Sequence, residues 1–103
     1  MVIAMDYDKT LSDIKLQGLA KKILREGNEF WVVTARKDNA YNKDIMKHVL
    51  DKLKLTEHQV IFCNEKPKWE MLQMINADIY IDNISDEFEA IKNFTNTTPL
   101  LWV

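Results

Sequence analysis

The sequence predicts an α/β fold built on a doubly wound, mostly parallel sheet of four to five strands with helices on both faces. Short apolar runs take turns along the chain with longer segments in which apolar residues recur at helical spacing. The apolar runs are nearly continuous, which is typical of strands that helices cover on both faces. A length of 103 residues with 47% apolar side chains predicts one globular domain over residues 1–103.

Two strand and helix units are predicted in the first half of the chain. Residues 2–6 contain the first apolar run, and apolar side chains then recur at helical spacing from residue 14 to residue 24. Gly27 is suited to end that helix. Residues 30–33 form the second apolar run, and the apolar pattern over residues 41–53 predicts the second helix.

The second half of the chain repeats this arrangement. A third strand is predicted over residues 60–63 and is followed by a helix with a proline in its first turn. A fourth strand over residues 78–82 precedes a helix for which Asn83 or Ser85 is the expected N-cap. Residues 100–103 follow a proline and are expected to form an edge strand.

Charge and cysteine content limit the environment and the partners. The chain has 14 basic and 16 acidic side chains, so its net charge of −2 gives no overall field that would attract nucleic acid or an anionic membrane. No apolar segment approaches the length of a membrane span, and no signal peptide is recognisable. With Cys63 as the single cysteine, a cytoplasmic setting and no membrane association are expected.

Polar side chains with a capacity for chemistry follow each of the first four predicted strands. In a doubly wound sheet, ligands bind beyond the carboxyl ends of the strands, where these side chains should converge. Carboxylates near a hydroxyl and a lysine suit phosphoryl transfer with a metal ion. The residues concerned are Asp6, Asp8, Thr34, Lys68, Asp82 and Asp86.

The same segments resemble the four motifs of the haloacid dehalogenase superfamily. Residues 2–10 resemble its first motif, an apolar strand followed by Asp-x-Asp-x-Thr, and residues 31–34 resemble the second. Residues 68–72 resemble the third motif, a lysine entering a helix, and residues 79–86 the fourth, in its Asp-x-x-x-Asp form. The resemblance implies a Rossmann-like sheet with the first strand at its centre.

The resemblance also implies a role for each residue of the predicted active site. Asp6 would be the nucleophile that forms an aspartyl phosphate, and Asp8 would be the general acid and base. Thr34 would donate a hydrogen bond to a phosphate oxygen, and Lys68 would neutralise charge on the transferred group. Lys66 competes with Lys68 for this role, although Lys68 has the expected spacing to Asp82.

A magnesium ion is the cofactor that the resemblance implies. Mg²⁺ prefers oxygen ligands, and Asp6, the backbone carbonyl of Asp8 and Asp82 would hold it. Asp86 would lie in the first or second coordination shell. The motif has Asn83 where many relatives have a second aspartate, and Asp86 would supply the missing carboxylate at the alternative spacing.

The residues beside the motifs bear on the substrate. Lys9 stands where relatives often have glycine, so it would either contact the substrate or obstruct the site. Ala35 and Arg36 follow the second motif and would also help to bind phosphate. The segments after the first and second motifs are too short for a cap domain. A capless site with nearby cations favours a phosphorylated substrate such as a nucleotide or a nucleic-acid terminus; an oligomer is possible but not indicated.

Three functions fit this pattern. The leading hypothesis is a capless, Mg²⁺-dependent phosphomonoester hydrolase that acts through an aspartyl phosphate. The first alternative is a binding or regulatory module that keeps the phosphate site without turnover. A response-regulator receiver domain is the second alternative, but its phosphorylated aspartate ends the third strand, where this chain has Asn64 and Glu65.

Overall fold

The chain folds around a five-stranded sheet in which every neighbouring pair of strands is parallel. A computed structural model describes all 103 residues and confirms the predicted α/β, doubly wound fold of Rossmann-like type. The strands are β1 Val2–Met5, β2 Glu29–Thr34, β3 Val60–Phe62, β4 Ile79–Asp82 and β5 Thr98–Leu101. The helices are α1 Ile14–Arg25, α2 Ala40–Leu53, α3 Lys68–Ile75 and α4 Phe88–Phe94.

The order of the strands places β1 at the centre of the sheet. The order is β3-β2-β1-β4-β5, and Met5 of β1 is paired with Val32 of β2 and Ile81 of β4. The chain winds from β1 to one edge and then returns to form the other half of the sheet. A switch in winding direction of this kind opens a crevice at the carboxyl ends of the central strands.

Alternating side chains of the strands fill two separate cores. Met5 and Val32 pack in the core beneath α1 and α2, whereas Ala4 and Tyr80 pack in the core beneath α3 and α4. Successive side chains of a strand point to opposite faces of a sheet. Residues two positions apart at a strand end therefore face the same pair of helices.

The last helix begins later than the sequence predicts. It starts at Phe88 with Glu87 before it, so Asn83 and Ser85 are not its N-cap. Asp82 Oδ1 accepts a hydrogen bond from the backbone N–H of Ile84 at 3.1 Å, and this bond holds the segment in a turn after β4. Asn83, which was expected to open the helix, instead lines the crevice together with Ile84 and Asp86.

The fifth strand lies at one edge of the sheet, as predicted, but begins two residues earlier than expected. The backbone N–H groups of Thr98 and Trp102 donate to carbonyls of Asp78 and Asp82 at 2.9 and 2.7 Å. The intervening Pro99 therefore directs its nitrogen, which has no hydrogen, toward the open edge. A proline at this position blocks further strand pairing. None of the helices has both the length and the apolar character that crossing a membrane requires.

Candidate functional site

A cavity of about 400 Å³ lies at the carboxyl ends of β1 and β4. Five of its lining residues are acidic and two are lysines, so the cavity attracts cations more strongly than free phosphate. The nearby cations that line this cavity are Lys9 and Lys68, and acidic side chains outnumber them. Its lining residues are Asp6, Asp8, Lys9, Ala35, Lys68, Asp82, Asn83, Ile84, Asp86 and Glu87.

The buried floor of the cavity is a cluster of two carboxylates and one ammonium group. Lys68 Nζ donates to Asp6 Oδ1 at 2.9 Å and to Asp82 Oδ2 at 3.0 Å. All three residues are at most 6% exposed. Water solvates these charges only poorly at this depth, and two carboxylates with one lysine leave one negative charge uncompensated.

Strand alternation and the start of α3 explain how this cluster assembles. Asp6 directly follows β1 and has the same alternation as Ala4, while Asp82 ends β4, so both side chains point toward α3 and α4. Lys68 is the first residue of α3, and its backbone N–H donates to Glu87 Oε1 at 2.8 Å. Lys66 is exposed and outside the cavity, so Lys68 is the lysine that meets the carboxylates.

Tyr80 is a member of the cluster that the sequence analysis assigned only to a strand. Its hydroxyl donates to Asp82 Oδ2 at 2.6 Å and accepts a hydrogen bond from Lys68 Nζ at 2.8 Å. Tyr80 lies two residues before Asp82, so strand alternation was the available signal that both side chains share a face. The Tyr80 hydroxyl is the third hydrogen-bond acceptor of the Lys68 ammonium group, beside Asp6 and Asp82, and it is a second donor to Asp82 Oδ2.

Burial sets the protonation behaviour of the cluster. Removal from water raises the pKa of Asp6 to about 6, although the attraction of Lys68 opposes this rise. Burial lowers the pKa of Lys68, but Asp6 and Asp82 outweigh this effect and the net pKa is raised. Burial and the two carboxylates also raise the pKa of Tyr80, which therefore stays a neutral hydrogen-bond donor.

Asp8 lies at the margin of the cavity in a clamp formed by Arg36. Arg36 Nη2 and Nε donate to Asp8 Oδ1 and Oδ2 at 2.8 and 2.9 Å. The remaining terminal nitrogen of Arg36 donates to Asn42 Oδ1 at 2.7 Å, and the Asn42 amide donates to the carbonyl of Lys37 at 2.8 Å. Arg36 therefore binds a side chain of the site itself and does not line the cavity, where it was expected to bind phosphate.

A kinked turn over Tyr7–Leu11 directly follows Asp6 and contains Asp8. The backbone N–H of Leu11 donates to the Asp6 carbonyl at 3.0 Å, which turns the chain sharply after β1. Lys9 is exposed within this turn and has a φ of 56°, in the left-handed region. Glycine is favoured in this conformation, because a residue with a Cβ atom has a strained backbone there.

Replacing Lys9 with glycine is expected to raise the free energy of unfolding by about 1 kcal/mol, because glycine adopts a positive φ without a steric cost. Urea unfolding of the two proteins measures the difference. Lys21→Gly is the matched control, since an exposed position within α1 should lose about 1 kcal/mol on the same change. A lower free energy of unfolding in Lys9→Gly would contradict the interpretation that the backbone of Lys9 is strained.

Thr34 and Ala35 occupy different positions relative to the cavity. Thr34 is fully buried, and its hydroxyl oxygen accepts the backbone N–H of Arg36 at 3.2 Å. Thr34 lies two residues after Val32 in β2, so its side chain points to the same face of the sheet, toward α1 and α2. It does not line the cavity. Ala35 does line it. The role of Thr34 in this structure is to hold the turn that carries Arg36.

Asp86 does not join the buried carboxylates. It is exposed on the cavity wall, and no group of three or more acidic, histidine or cysteine side chains converges as a metal site. Asn83 is closer to the floor. With its NH₂ group facing them, its side chain donates to the Asp8 carbonyl and to Asp82 Oδ1, each at 3.2 Å.

The oxygens of the cavity nevertheless fit a hard divalent cation. The Asp8 carbonyl and Asp82 Oδ1 lie close together, since both accept hydrogen bonds from the side-chain amide of Asn83. Lys68 binds only one of the two Asp6 carboxylate oxygens. All of these atoms are oxygens, the ligand type that Mg²⁺ prefers, and the cluster carries surplus negative charge. Asp6, Asp8 and Asp82 thus lie together at the cavity with oxygens that could hold the ion, whereas Asp86 lies apart on its wall, and a bound Mg²⁺ stays a prediction.

No protein-family model matches this chain, and no curated protein matches it in sequence. The inferences about function therefore rest on the geometry of the cavity and on the resemblance of its chain segments to the four motifs.

Chemically, the cavity combines a partly free carboxylate with a buried cation and a second, half-exposed carboxylate at its margin. Asp6 can act on an electrophile that enters the cavity, and Lys68 is placed to stabilise negative charge beside it. Asp8 is about half exposed at its side chain, in contrast to the buried pair. The two aspartates thus occupy different environments, which suits them to different tasks.

Proposed function

We propose that this protein is a Mg²⁺-dependent phosphomonoester hydrolase that acts through an aspartyl phosphate on Asp6. The observation that carries the proposal is the buried contact of Lys68 with both Asp6 and Asp82 at the carboxyl edge of the sheet. This arrangement brings together residues from three distant chain segments that resemble three motifs of the haloacid dehalogenase superfamily. Burying an ion cluster in the interior costs free energy of desolvation, which a function would justify.

In the first step, a carboxylate oxygen of Asp6 attacks phosphorus and the ester P–O bond breaks. The leaving alkoxide takes a proton from Asp8. In the second step, water attacks the phosphoryl group, Asp8 accepts a proton from that water, and the P–O bond to Asp6 breaks. Inorganic phosphate and the alcohol are the products.

Lys68 supports both steps by its position. Its ammonium group lies 2.9 Å from Asp6 Oδ1 and remains protonated, since its pKa is raised. It therefore offsets negative charge where the phosphoryl group binds. Mg²⁺, held by Asp6, Asp82 and the Asp8 carbonyl, would neutralise the repulsion between substrate phosphate and the carboxylates.

The contact between Asp8 and Arg36 places a requirement on the reaction. A carboxylate that accepts hydrogen bonds from two guanidinium nitrogens, at 2.8 and 2.9 Å, is poorly placed to donate a proton. Substrate entry must therefore open this pair before Asp8 acts. A phosphate oxygen is a suitable competitor for Arg36, and a nucleotide or nucleic-acid terminus remains the favoured substrate class.

Asp6→Asn is expected to lower the turnover of p-nitrophenyl phosphate by about a thousandfold or more, because the amide cannot form the aspartyl phosphate. Turnover by the unaltered protein should require Mg²⁺ and disappear with a chelator. Asp44→Asn, at an exposed position of α2, is the control and should retain full turnover. Equal turnover in the Asp6 and Asp44 variants would rule out the proposed nucleophile.

The pairing of Asp8 with Arg36 also favours a second candidate, a phosphate-binding or regulatory module without turnover. Such a module would form a beryllofluoride adduct at Asp6 in the presence of Mg²⁺, yet hydrolyse no member of a broad panel of phosphomonoesters. A third possibility, the receiver domain, has the sheet order 2-1-3-4-5. The order observed here is 3-2-1-4-5, so that possibility is excluded.

A further inference from the structure

A cleft of about 600 Å³ lies between the C-terminal ends of α1 and α2, on the face of the sheet opposite α3 and α4. Four of its six lining residues are basic, two are leucines and none is acidic. The lining consists of Lys21, Leu24, Arg25, Lys52, Leu53 and Lys54. Both helices contribute cations, so like charges face each other across the cleft.

None of these cations has an acidic partner. The ion pairs of the structure involve only Arg36, Lys43 and Lys68 among the basic residues. Lys52 Nζ instead donates to Oε1 of the buried Gln17 at 2.8 Å, which holds this ammonium at the helix interface. Asp51 is the neighbouring acid in the sequence, but it lines a different cavity.

The cleft belongs to a larger separation of charge in the molecule. Residues 14–54 contain ten basic and five acidic side chains, whereas the remaining residues contain four basic and eleven acidic ones. The small net charge of the chain therefore conceals a basic half that includes α1 and α2. Interactions of cations with helix C-termini explain Arg25 and Lys52 individually, but they do not explain a concave cluster without acids.

We infer that the cleft between α1 and α2 binds the phosphodiester backbone of a nucleic-acid strand. Lysine and arginine side chains on both walls can contact successive phosphates, and the leucines offer apolar surface to a sugar or base. Charge complementarity selects a polyanion. A concave cleft suits a flexible strand, because a flat bilayer surface cannot enter it.

The cleft is separate from the cavity that contains Asp6. Strand β1 leads into α1, which ends at Arg25 before β2 begins, so the cleft lies at the amino edge of the sheet. The cavity lies at the carboxyl edge. The two sites are thus at opposite ends of α1, whose 12 residues span about 18 Å. Binding in the cleft leaves the cavity accessible and does not depend on catalysis.

The inference is tested by fluorescence anisotropy with a labelled single-stranded oligothymidylate and the full chain. A triple variant with Lys21→Gln, Arg25→Gln and Lys54→Gln should raise Kd by about tenfold and reduce the slope of log K against log salt by about 2, since it removes three phosphate contacts. The control triple variant, Lys15→Gln, Lys47→Gln and Lys92→Gln, loses the same charge outside the cleft. It should bind nearly as the unaltered protein does.

Equal losses in the two triple variants would overturn the inference, since binding would then follow net charge alone. Binding to phosphatidylserine vesicles without binding to the oligonucleotide would overturn it too, and so would the absence of any oligonucleotide binding. Thermal unfolding checks that both variants are folded. Asp6→Asn should bind the oligonucleotide normally, and the cleft variant should hydrolyse p-nitrophenyl phosphate normally, so this result is independent of the proposed catalysis.

Discussion

Replacing Lys68 with methionine is expected to lower the free energy of unfolding by about 3–5 kcal/mol near neutral pH. Methionine fills a similar volume but leaves Asp6 and Asp82 buried without a cation. Tyr80 would also lose the ammonium that donates to its hydroxyl at 2.8 Å. The loss should shrink as the pH falls, because protonation neutralises the unpaired carboxylates. Urea unfolding over a series of pH values measures both effects.

Lys66→Met provides the matched control for this experiment. Lys66 is two residues away, exposed and without an ion pair, so its replacement should change stability by less than about 0.5 kcal/mol. Comparable losses in the two variants would show that the buried cluster contributes nothing specific. A large, pH-dependent loss in Lys68→Met alone would show that this lysine compensates the carboxylates.

The cluster illustrates why a buried ion group is weak evidence for stability and stronger evidence for a site. Removing three charged groups from water costs free energy that their mutual attraction offsets only in part. Lys68 and Tyr80 satisfy Asp82 Oδ2, but the pKa of Asp6 is still raised, to about 6. The protein thus holds one carboxylate in an unfavourable ionised state, a condition common at functional sites.

The fold and the residues at the floor of the cavity were predictable because they depend on simple chain periodicities. Each apolar run of the sequence is a strand in the structure, with differences of one or two residues at the ends. Asp6 and Asp82 follow or end such runs, and Lys68 begins a helix after another. Since parallel strands present their carboxyl ends at one edge, this placement follows from topology.

Other features depend on contacts that periodicity does not contain. The hydroxyl of Tyr80 matters only because its strand position points it at Lys68, whereas an aromatic residue in a buried run reads as ordinary core. The clamp of Arg36 on Asp8 joins two partly exposed side chains 28 positions apart. The late start of α4 goes with a turn in which the backbone N–H of Ile84 donates to Asp82 Oδ1.

Asp6→Asn is expected to raise the free energy of unfolding by about 3 kcal/mol near neutral pH when divalent cations are absent. The pKa of Asp6 rises from 3.8 to about 6 in the folded protein, chiefly because the carboxyl group is buried. The folded state therefore binds this proton more tightly than the unfolded state does. Between pH 3.8 and about 6 the unaltered protein therefore loses stability as the pH rises. Asparagine is neutral at every pH, so the variant does not show this loss.

The measurement is urea unfolding of both proteins in a chelating buffer from acid to neutral pH, with Asp44→Asn as the exposed control. The stability difference between Asp6→Asn and the unaltered protein should be small below 3.8 and reach its full size above about 6. Excess Mg²⁺ should stabilise only the unaltered protein appreciably and thereby reduce the difference. A variant that is less stable at every pH would mean that the attraction of Lys68 for Asp6 outweighs the cost of burial. If the variant is more stable as expected, Asp6→Asn abolishes the proposed reaction and yet stabilises the fold, because the buried surroundings of Asp6 disfavour its ionised form.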